Sequence, residues 1–285
     1  MKERKKIEDA FISDSNSGAH ISIISIDSLT LIKKSEKLNL DRFQSNITKQ
    51  EIFLPIGPFK PATIYSQNKE KNNMDLIMPF YNGISGSNYS KKITLEDIDF
   101  LLDSFLIYFK NLKAKSVQKK VDGKLLIKKC NSVKTGIKRN NFFSKDEKYF
   151  LSQQVINLKE SIKPIYIYPH STCHGDFTLS NIIYNKRDRD LILIDFLDTY
   201  ISSYLIDIAK IKQDLVHGWS FRREPRTVRM KAMIMGMHVY EKIYLTIDQS
   251  HKDLFKVVDS LNALRIAPYI KDDHSKEWLL EVLTK

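Results

Sequence analysis

The feature that most constrains this chain is an aspartate placed where an apolar strand should run uninterrupted. Within CHGDFTLSNIIYNKRDRDLILIDFLDTY, residues 173–200, the run LILIDF reads as a buried strand, yet it contains Asp195. β-propensity disfavours aspartate there, and burial penalises its charge unless a cation or hydrogen-bond donors satisfy it. Asp176 stands nineteen residues earlier, and Asn181 five residues after that. Turn capping accounts for Asp188 and Asp190, which lie between the two apolar runs. It does not account for Asp195. Short oxygen ligands at the ends of paired strands are what Mg2+ demands, because that ion is hard, octahedral and commonly shared with substrate phosphates. A magnesium-phosphate site would explain the clustered acids.

Size and composition set the frame for such a site. A chain of 285 residues, 42% apolar and 28% charged, is expected to form a soluble globular protein with a sizeable core, as one large domain or two unequal lobes. No run approaches the ~18 apolar residues of a membrane helix, and MKERKKIEDA leads into a polar-interrupted segment. The expectation is a cytoplasmic protein with no membrane span. Cys130 and Cys173 can neither build a disulfide framework nor form a cysteine metal cluster, and they read as two reduced thiols.

The net charge of +12 raises the question of a polyanionic partner. Most of the excess is local: from Lys110 to Lys148 there are 13 Lys or Arg against 3 Asp or Glu. Such a run is expected to be a solvated loop or hairpin. Its sparse aromatic interleaving argues against nucleic acid as a partner. A local field drawing a phosphate-bearing small substrate to a nearby cleft is the intermediate reading.

Patterning along the chain gives a coarse element order. HISIISIDSLTLIKK, residues 20–34, alternates about Asp27 and Ser28 as a two-stranded hairpin. Phe43, Ile47 and Phe53 fall near helical spacing from about Asp41 to Leu54, with Pro55 and Pro58 stopping the helix. ATIYS and MDLIMPF read as two further strands. The sequence from Thr94 then predicts a long helix, with Asp97 completing a capping box and Leu95, Ile98, Leu102, Phe105, Phe109 and Leu112 on one face. A helix from about Lys145 to Ile162, the quoted stretch and a mostly helical final third follow. The simplest partition is residues 1–80 and 81–285, joined near Phe80 to Gly83.

HGDFTLSN followed by LILIDF resembles the HGDxxxxN plus IDxxD signature of the aminoglycoside phosphotransferase and choline kinase-like family, relatives of the protein kinases. The resemblance implies an α+β, two-lobed protein-kinase-like fold, with a small sheet-rich N-terminal nucleotide-binding lobe and a larger, mostly helical C-terminal lobe. It further implies ATP and Mg2+ as cofactors, with Asp176 as the catalytic aspartate for the acceptor hydroxyl and Asn181 and Asp195 as metal ligands. His174 would position backbone, Asp198 matches the second acid of the signature, and Asp207 would brace the catalytic loop through backbone N–H groups.

Kinase-like lobes also place a lysine on a strand and a glutamate on the next helix. Lys33 and Lys34 are the candidates here. Period two puts Lys33 on a face with Leu29 and Leu31, so Lys33 is expected to point inward, with Glu51 as its helix partner. Ser17 and Gly18, in SNSGA, would form the phosphate-covering turn, although that stretch departs from GxGxxG. PFYNG would be a hinge whose backbone meets the base, which leaves the choice between ATP and GTP open. The expected partners are a nucleoside triphosphate and a small-molecule hydroxyl acceptor.

Relatives that bind polycationic aminoglycosides usually line the site with acids. SFRREPRTVRMK instead offers Arg222, Arg223, Arg226 and Arg229, which suit carboxylate or phosphate. The expectation is therefore a sugar or related compound of surface-polysaccharide metabolism. The alternatives are an aminoglycoside or amino-alcohol acceptor, a protein acceptor, and a non-catalytic basic nucleic-acid-binding protein.

Overall fold

The computed structural model describes residues 19–26, 29–91, 94–185 and 188–284. The chain divides into two compact units, Met1–Ile84 with Ile183–Asp198, and Ser85–Ile182 with Thr199–Lys285.

The first unit is built on the expected hairpin, β1 (His20–Ile26) and β2 (Leu29–Glu36); Asp27 and Ser28 lie outside the described residues. β2 also pairs antiparallel with β5 (Asn73–Pro79), which pairs with β4 (Ser66–Glu70), giving the order β1-β2-β5-β4. Helix α1 (Leu40–Ile52) buries Phe43, Ile47 and Gln50. Phe43 and Ile47 pack with Ile32, Met74, Leu76 and Met78 of the sheet. The helix stops at Phe53, whose backbone is extended, two residues before Pro55.

A second sheet has the order β3-β10-β9-β6, with β3 at Phe59–Pro61, β6 at Ile84–Ser85, β9 at Ile182–Asn185 and β10 at Asp190–Leu193. β10 runs parallel to β3, with Leu191 opposite Phe59 and Leu193 opposite Pro61. This pairing, together with Ile183 and Ile192 in the hydrophobic cluster, attaches residues 183–198 to the first unit. The division at residue 80 read from the sequence does not contain that return of the chain.

Two strand expectations shift as well. Residues 62–65 of ATIYS lie between β3 and β4 and are not strand. β4, SQNKE, is exposed along its whole length. It is a polar edge strand, whose charged residues discourage pairing with other chains and also erase the alternation that would have announced it.

In the second unit, after α2 (Gly86–Lys91), helix α3 (Leu95–Ala114) begins at the predicted capping box. The Thr94 hydroxyl accepts from the Asp97 N–H, and the Asp97 carboxylate accepts from the Thr94 N–H. Leu101, Phe105, Tyr108, Phe109 and Leu112 form its buried face. The basic segment is not a loop. It forms β7 (Val117–Asp122), paired antiparallel with β8 (Ile165–His170), and α4 (Gly123–Arg139), before α5 (Lys145–Glu160). Leu126, Cys130, Val133 and Ile137 bury one stripe of α4 at helical spacing, while Lys124, Lys128 and Lys138 are exposed. The lysines that suggested a loop are the wet face of an amphipathic helix.

Four helices complete the unit: α6 (Tyr204–Leu215), α7 (Arg226–Tyr244), α8 (Lys252–Leu264) and α9 (Asp273–Thr284). Cys130 and Cys173 are buried, unbridged thiols. No described helix is long and apolar enough to cross a membrane.

Candidate active site

In the second unit, the HGDFTLSN loop follows β8 and is shaped by one glycine and one buried acid. Gly175 has φ +89°, a conformation a side chain would strain. The N–H groups of His174 and Gly175 donate to the two carboxylate oxygens of Asp207 on α6, both at 2.7 Å. The Tyr108 hydroxyl of α3 adds a third donor at 2.8 Å. Burial raises the Tyr108 phenol pKa, and the adjoining Asp207 charge raises it further. The Tyr108 ring stacks on Phe177 of the loop at 4.4 Å, with Phe105 and Phe109 edge-on to the same ring. The apolar stripe of α3 thus becomes the seat of the loop. His174 is fully buried and its Nδ1 accepts from the Asp176 N–H at 3.2 Å, so it fixes backbone.

The loop presents Asp176 with one carboxylate oxygen against Lys210 Nζ at 3.0 Å and the other accepting from Asn181 Nδ2 at 2.9 Å. Asn181 Nδ2 also donates to the Asp176 carbonyl. Burial works against the Asp176 charge, but the Lys210 ammonium, with His174 and the Asn181 amide, outweighs it and holds the carboxyl below the usual carboxylate range. With Asn181 Nδ2 committed to Asp176, its carbonyl oxygen is the atom suited to a hard cation.

Asp195, in the first unit, follows the end of β10 and has φ +60°, in the left-handed region where aspartate is uncommon. Strained backbone of this kind persists where its surroundings fix it, and it concentrates at functional sites. Its Oδ1 accepts from Lys34 Nζ at 2.6 Å. Helix α1 secures the residues that follow: Lys49 Nζ donates to the Leu197 carbonyl, Asn46 Oδ1 accepts from the Asp198 N–H, and Phe53 packs on Phe196. Asp198 itself is exposed.

The lysine expectation is corrected here. Lys34, 11% exposed, is the inward one, whereas Lys33 pairs with Asp75 at 2.8 Å. Leu31 and Ile32 are both buried, so apolar alternation on β2 does not single out a face. Glu51 is corrected too. It is exposed and accepts from Gln67 Nε2 at 3.1 Å, because Gln50 takes the inward helical position and donates to the Ala62 carbonyl. Ser17 and Gly18 lie outside the described residues.

Two of the candidate acceptor arginines have other partners. Arg222 stacks on Trp219 at 3.8 Å and donates to Ser275 Oγ, while Arg223 pairs with Asp272 at 3.0 Å. Arg226 opens α7 and is exposed, and Arg229 lies 3.9 Å from Glu281. Arg222, Arg223 and Arg229 thus engage Ser275, Asp272 and Glu281, on or just before the last helix.

Tyr108, Lys210 and Asp214 escaped the sequence reading. Lys210 is one helical turn after Asp207 and Asp214 two turns after it, so a heptad count from Asp207 would have put all three on one face of α6. Among the described residues no group of three or more His, Cys, Asp or Glu is placed to hold a metal. An ion taken by Asn181 or Asp195 would need phosphate oxygens to complete its coordination, as Mg2+ commonly has.

No family model matches the chain, and no curated protein sequence matches it. Solved structures do. An aminoglycoside 3'-phosphotransferase of type VIII superposes with a TM-score of 0.51 at 13% identity, covering 86% of this chain and 90% of that one. The GDP and kanamycin complex of an APH(2'') enzyme superposes with a TM-score of 0.53 at 12% identity, covering 100% and 98%. The small antiparallel-sheet unit, the larger helical unit and these superpositions together identify the chain as having the two-lobed, protein-kinase-like fold of the aminoglycoside phosphotransferases.

Proposed function

We propose that the chain is a nucleoside triphosphate-dependent kinase that phosphorylates a hydroxyl of a small molecule. The observation that carries this is Asp176, kept ionised by Lys210 and Asn181 on a loop whose backbone is clamped by Asp207. The acceptor oxygen attacks the γ-phosphorus, the new P–O bond forms as the bond to the bridging oxygen breaks, and the nucleoside diphosphate leaves. Asp176 accepts the hydroxyl's hydrogen bond and orients its lone pair. With a lowered pKa it is a weak base, which suits a loose transition state in which the proton leaves late. Lys210 offsets negative charge beside the reacting oxygens.

Asn181 and Asp195 are assigned to Mg2+, and Lys34, in place of Lys33, to the nucleotide phosphates. Mg2+, when held there, would supply positive charge against the charge that builds on the phosphates. The APH(2'') neighbour, solved with GDP and kanamycin, supports a nucleotide and a hydroxylated acceptor while leaving ATP against GTP open. The acceptor we favour is a neutral or anionic sugar or sugar phosphate of surface-polysaccharide metabolism, and the compartment is the cytoplasm, where the triphosphate is supplied. Exposed cations such as Arg226 and the basic face of α4 suit that acceptor better than a polycation.

The test supplies Mg2+ with ATP or GTP and offers, in separate reactions, monosaccharides, sugar phosphates and kanamycin, with products read by mass spectrometry. An acceptor-dependent phosphorylated product is expected, with turnover falling ~10²-fold or more in Asp176→Asn. Wild-type rate in that variant would remove the assignment. Phosphorylation of kanamycin alone would replace the acceptor class.

A further inference from the structure

Asp214 sits on α6, two turns beyond Asp207, and is fully buried. The neighbouring inward positions Ile208, Ile211 and Leu215 are apolar, as the inner face of a core helix should be. A carboxylate among them is costly unless its hydrogen bonds are arranged for it. Its Oδ2 accepts from the Leu179 N–H at 2.6 Å and its Oδ1 from the Ser220 N–H at 2.9 Å. Leu179 opens the short 3-10 turn that ends at Asn181, and Ser220 is the middle residue of the turn Trp219–Phe221. Gly218, at φ +66°, folds the chain back onto the end of α6, where its N–H donates to the Asp214 carbonyl. Side chain and backbone of one residue therefore hold two separate segments.

We infer that Asp214 is a positioning residue, tying the turn that carries Asn181 to the turn that carries Trp219 and fixing both on α6. The inference rests on the kinase reading above. Asp207 and Asp214 divide the labour along one helix face: Asp207 sets the backbone before Asp176, and Asp214 sets the backbone between Asp176 and Asn181. With both bonds in place, the Asn181 side chain is delivered to Asp176 at 2.9 Å. Without the Asp214 bonds the turn would still be covalently continuous, but its register against Asp176 would be free to drift. A displacement of about 1 Å in a reacting group can cost ~10²-fold in rate, so the effect falls on turnover more than on nucleotide binding.

Amide hydrogen exchange followed by mass spectrometry tests the clamp, and nucleotide turnover with water as acceptor tests its consequence. Asp214→Asn keeps one acceptor oxygen and turns an NH2 toward the other N–H. Exchange in peptides spanning residues 177–182 and 218–222 should rise at least tenfold, while the peptide over residues 172–175 stays as in wild type. For Mg-ATP or Mg-GTP, kcat should fall ~10-fold or more with KM within about twofold. Should Asp214→Asn fail to fold, Asp214→Ser keeps one hydroxyl acceptor and is read the same way, and the wild-type Leu179 and Ser220 amides must in any case be slow to exchange. Fast wild-type exchange at those two amides, or an Asp214 variant with unchanged kcat, overturns the inference. A wild-type protein that turned over neither nucleotide with water or with any acceptor would instead overturn the kinase reading, and with it the positioning role, while the exchange data would still report the clamp.

Discussion

Removing the Asp207 carboxylate should destabilise the second unit more than truncating any side chain of the HGDFTLSN loop that it clamps. Asp207 is completely buried and accepts three hydrogen bonds, from the His174 and Gly175 N–H groups at 2.7 Å each and the Tyr108 hydroxyl at 2.8 Å. Hydrogen bonds to a charged group contribute ~1.5–3 kcal/mol each, and the three donors would be left buried and unsatisfied in Asp207→Ala. Simple addition gives about 4.5–9 kcal/mol; entry of water and loop relaxation bring the realised loss toward ~4 kcal/mol, within the range of large single-mutant effects. Against a total stability of about 5–15 kcal/mol, that is a large fraction. At ~2–4 °C per kcal/mol for a domain of this size, the melting temperature should drop by ~8–16 °C in scanning calorimetry. Tyr108→Phe, which removes one donor and keeps the stacked ring on Phe177, should cost ~1.5–3 kcal/mol and ~3–12 °C. The same two substitutions combined should lose less than their sum, because they share a bond. An Asp207→Ala protein melting within about 3 °C of wild type would show that the clamp is dispensable and that the loop is held by other contacts.

The two strand lysines are each other's control: Lys34→Met should weaken Mg-nucleotide binding ~10-fold or more by calorimetry, whereas Lys33→Met, which breaks the pair with the buried Asp75, should change it less than twofold. The reverse order would return the phosphate role to Lys33. Lys210→Met should lower single-turnover phosphoryl transfer ~10²-fold with little change in nucleotide affinity, and an unchanged rate would make its 3.0 Å contact with Asp176 incidental. Burial pushes the Asp214 carboxyl up to about 6 from 3.8, so the folded protein holds this proton more tightly than the unfolded chain. The stabilisation from that proton is nearly complete at about pH 3 and is lost as pH rises through about 6, so urea titrations should show Asp214→Asn gaining about 3 kcal/mol on wild type between about pH 3 and 7. A difference independent of pH would mean Asp214 titrates normally.

The polar framework of the loop was legible in the sequence: HGDFTLSN sets Asp176 and Asn181 five residues apart, and the structure brings their side chains to 2.9 Å, while Asp195 within LILIDF marked the point where the chain leaves the strand. Helix α3 was legible for the same kind of reason: its capping box and apolar period are local, and local chemistry fixes them. What stayed hidden was decided between segments distant in sequence. Which of two adjacent lysines turns inward depends on which face of β2 meets α1 and which meets solvent, and both faces carry buried residues. The assignment of residues 183–198 to the first unit depends on the parallel pairing of β10 with Phe59–Pro61, three residues with no strand signal of their own. Glu51 lost its expected role by one position on a helix, a rotation of ~100° that packing sets and that an isolated α1 would leave undefined. Lys210 and Asp214 look like ordinary members of a helix until the loop is laid across it. Hydrophobic period and turn chemistry act over a few residues and can be read from the chain; the distant partners of a buried charge are brought together only by the tertiary fold, as in the bonds from Gly175 to Asp207, 32 positions apart, and from Lys34 to Asp195, 161 positions apart.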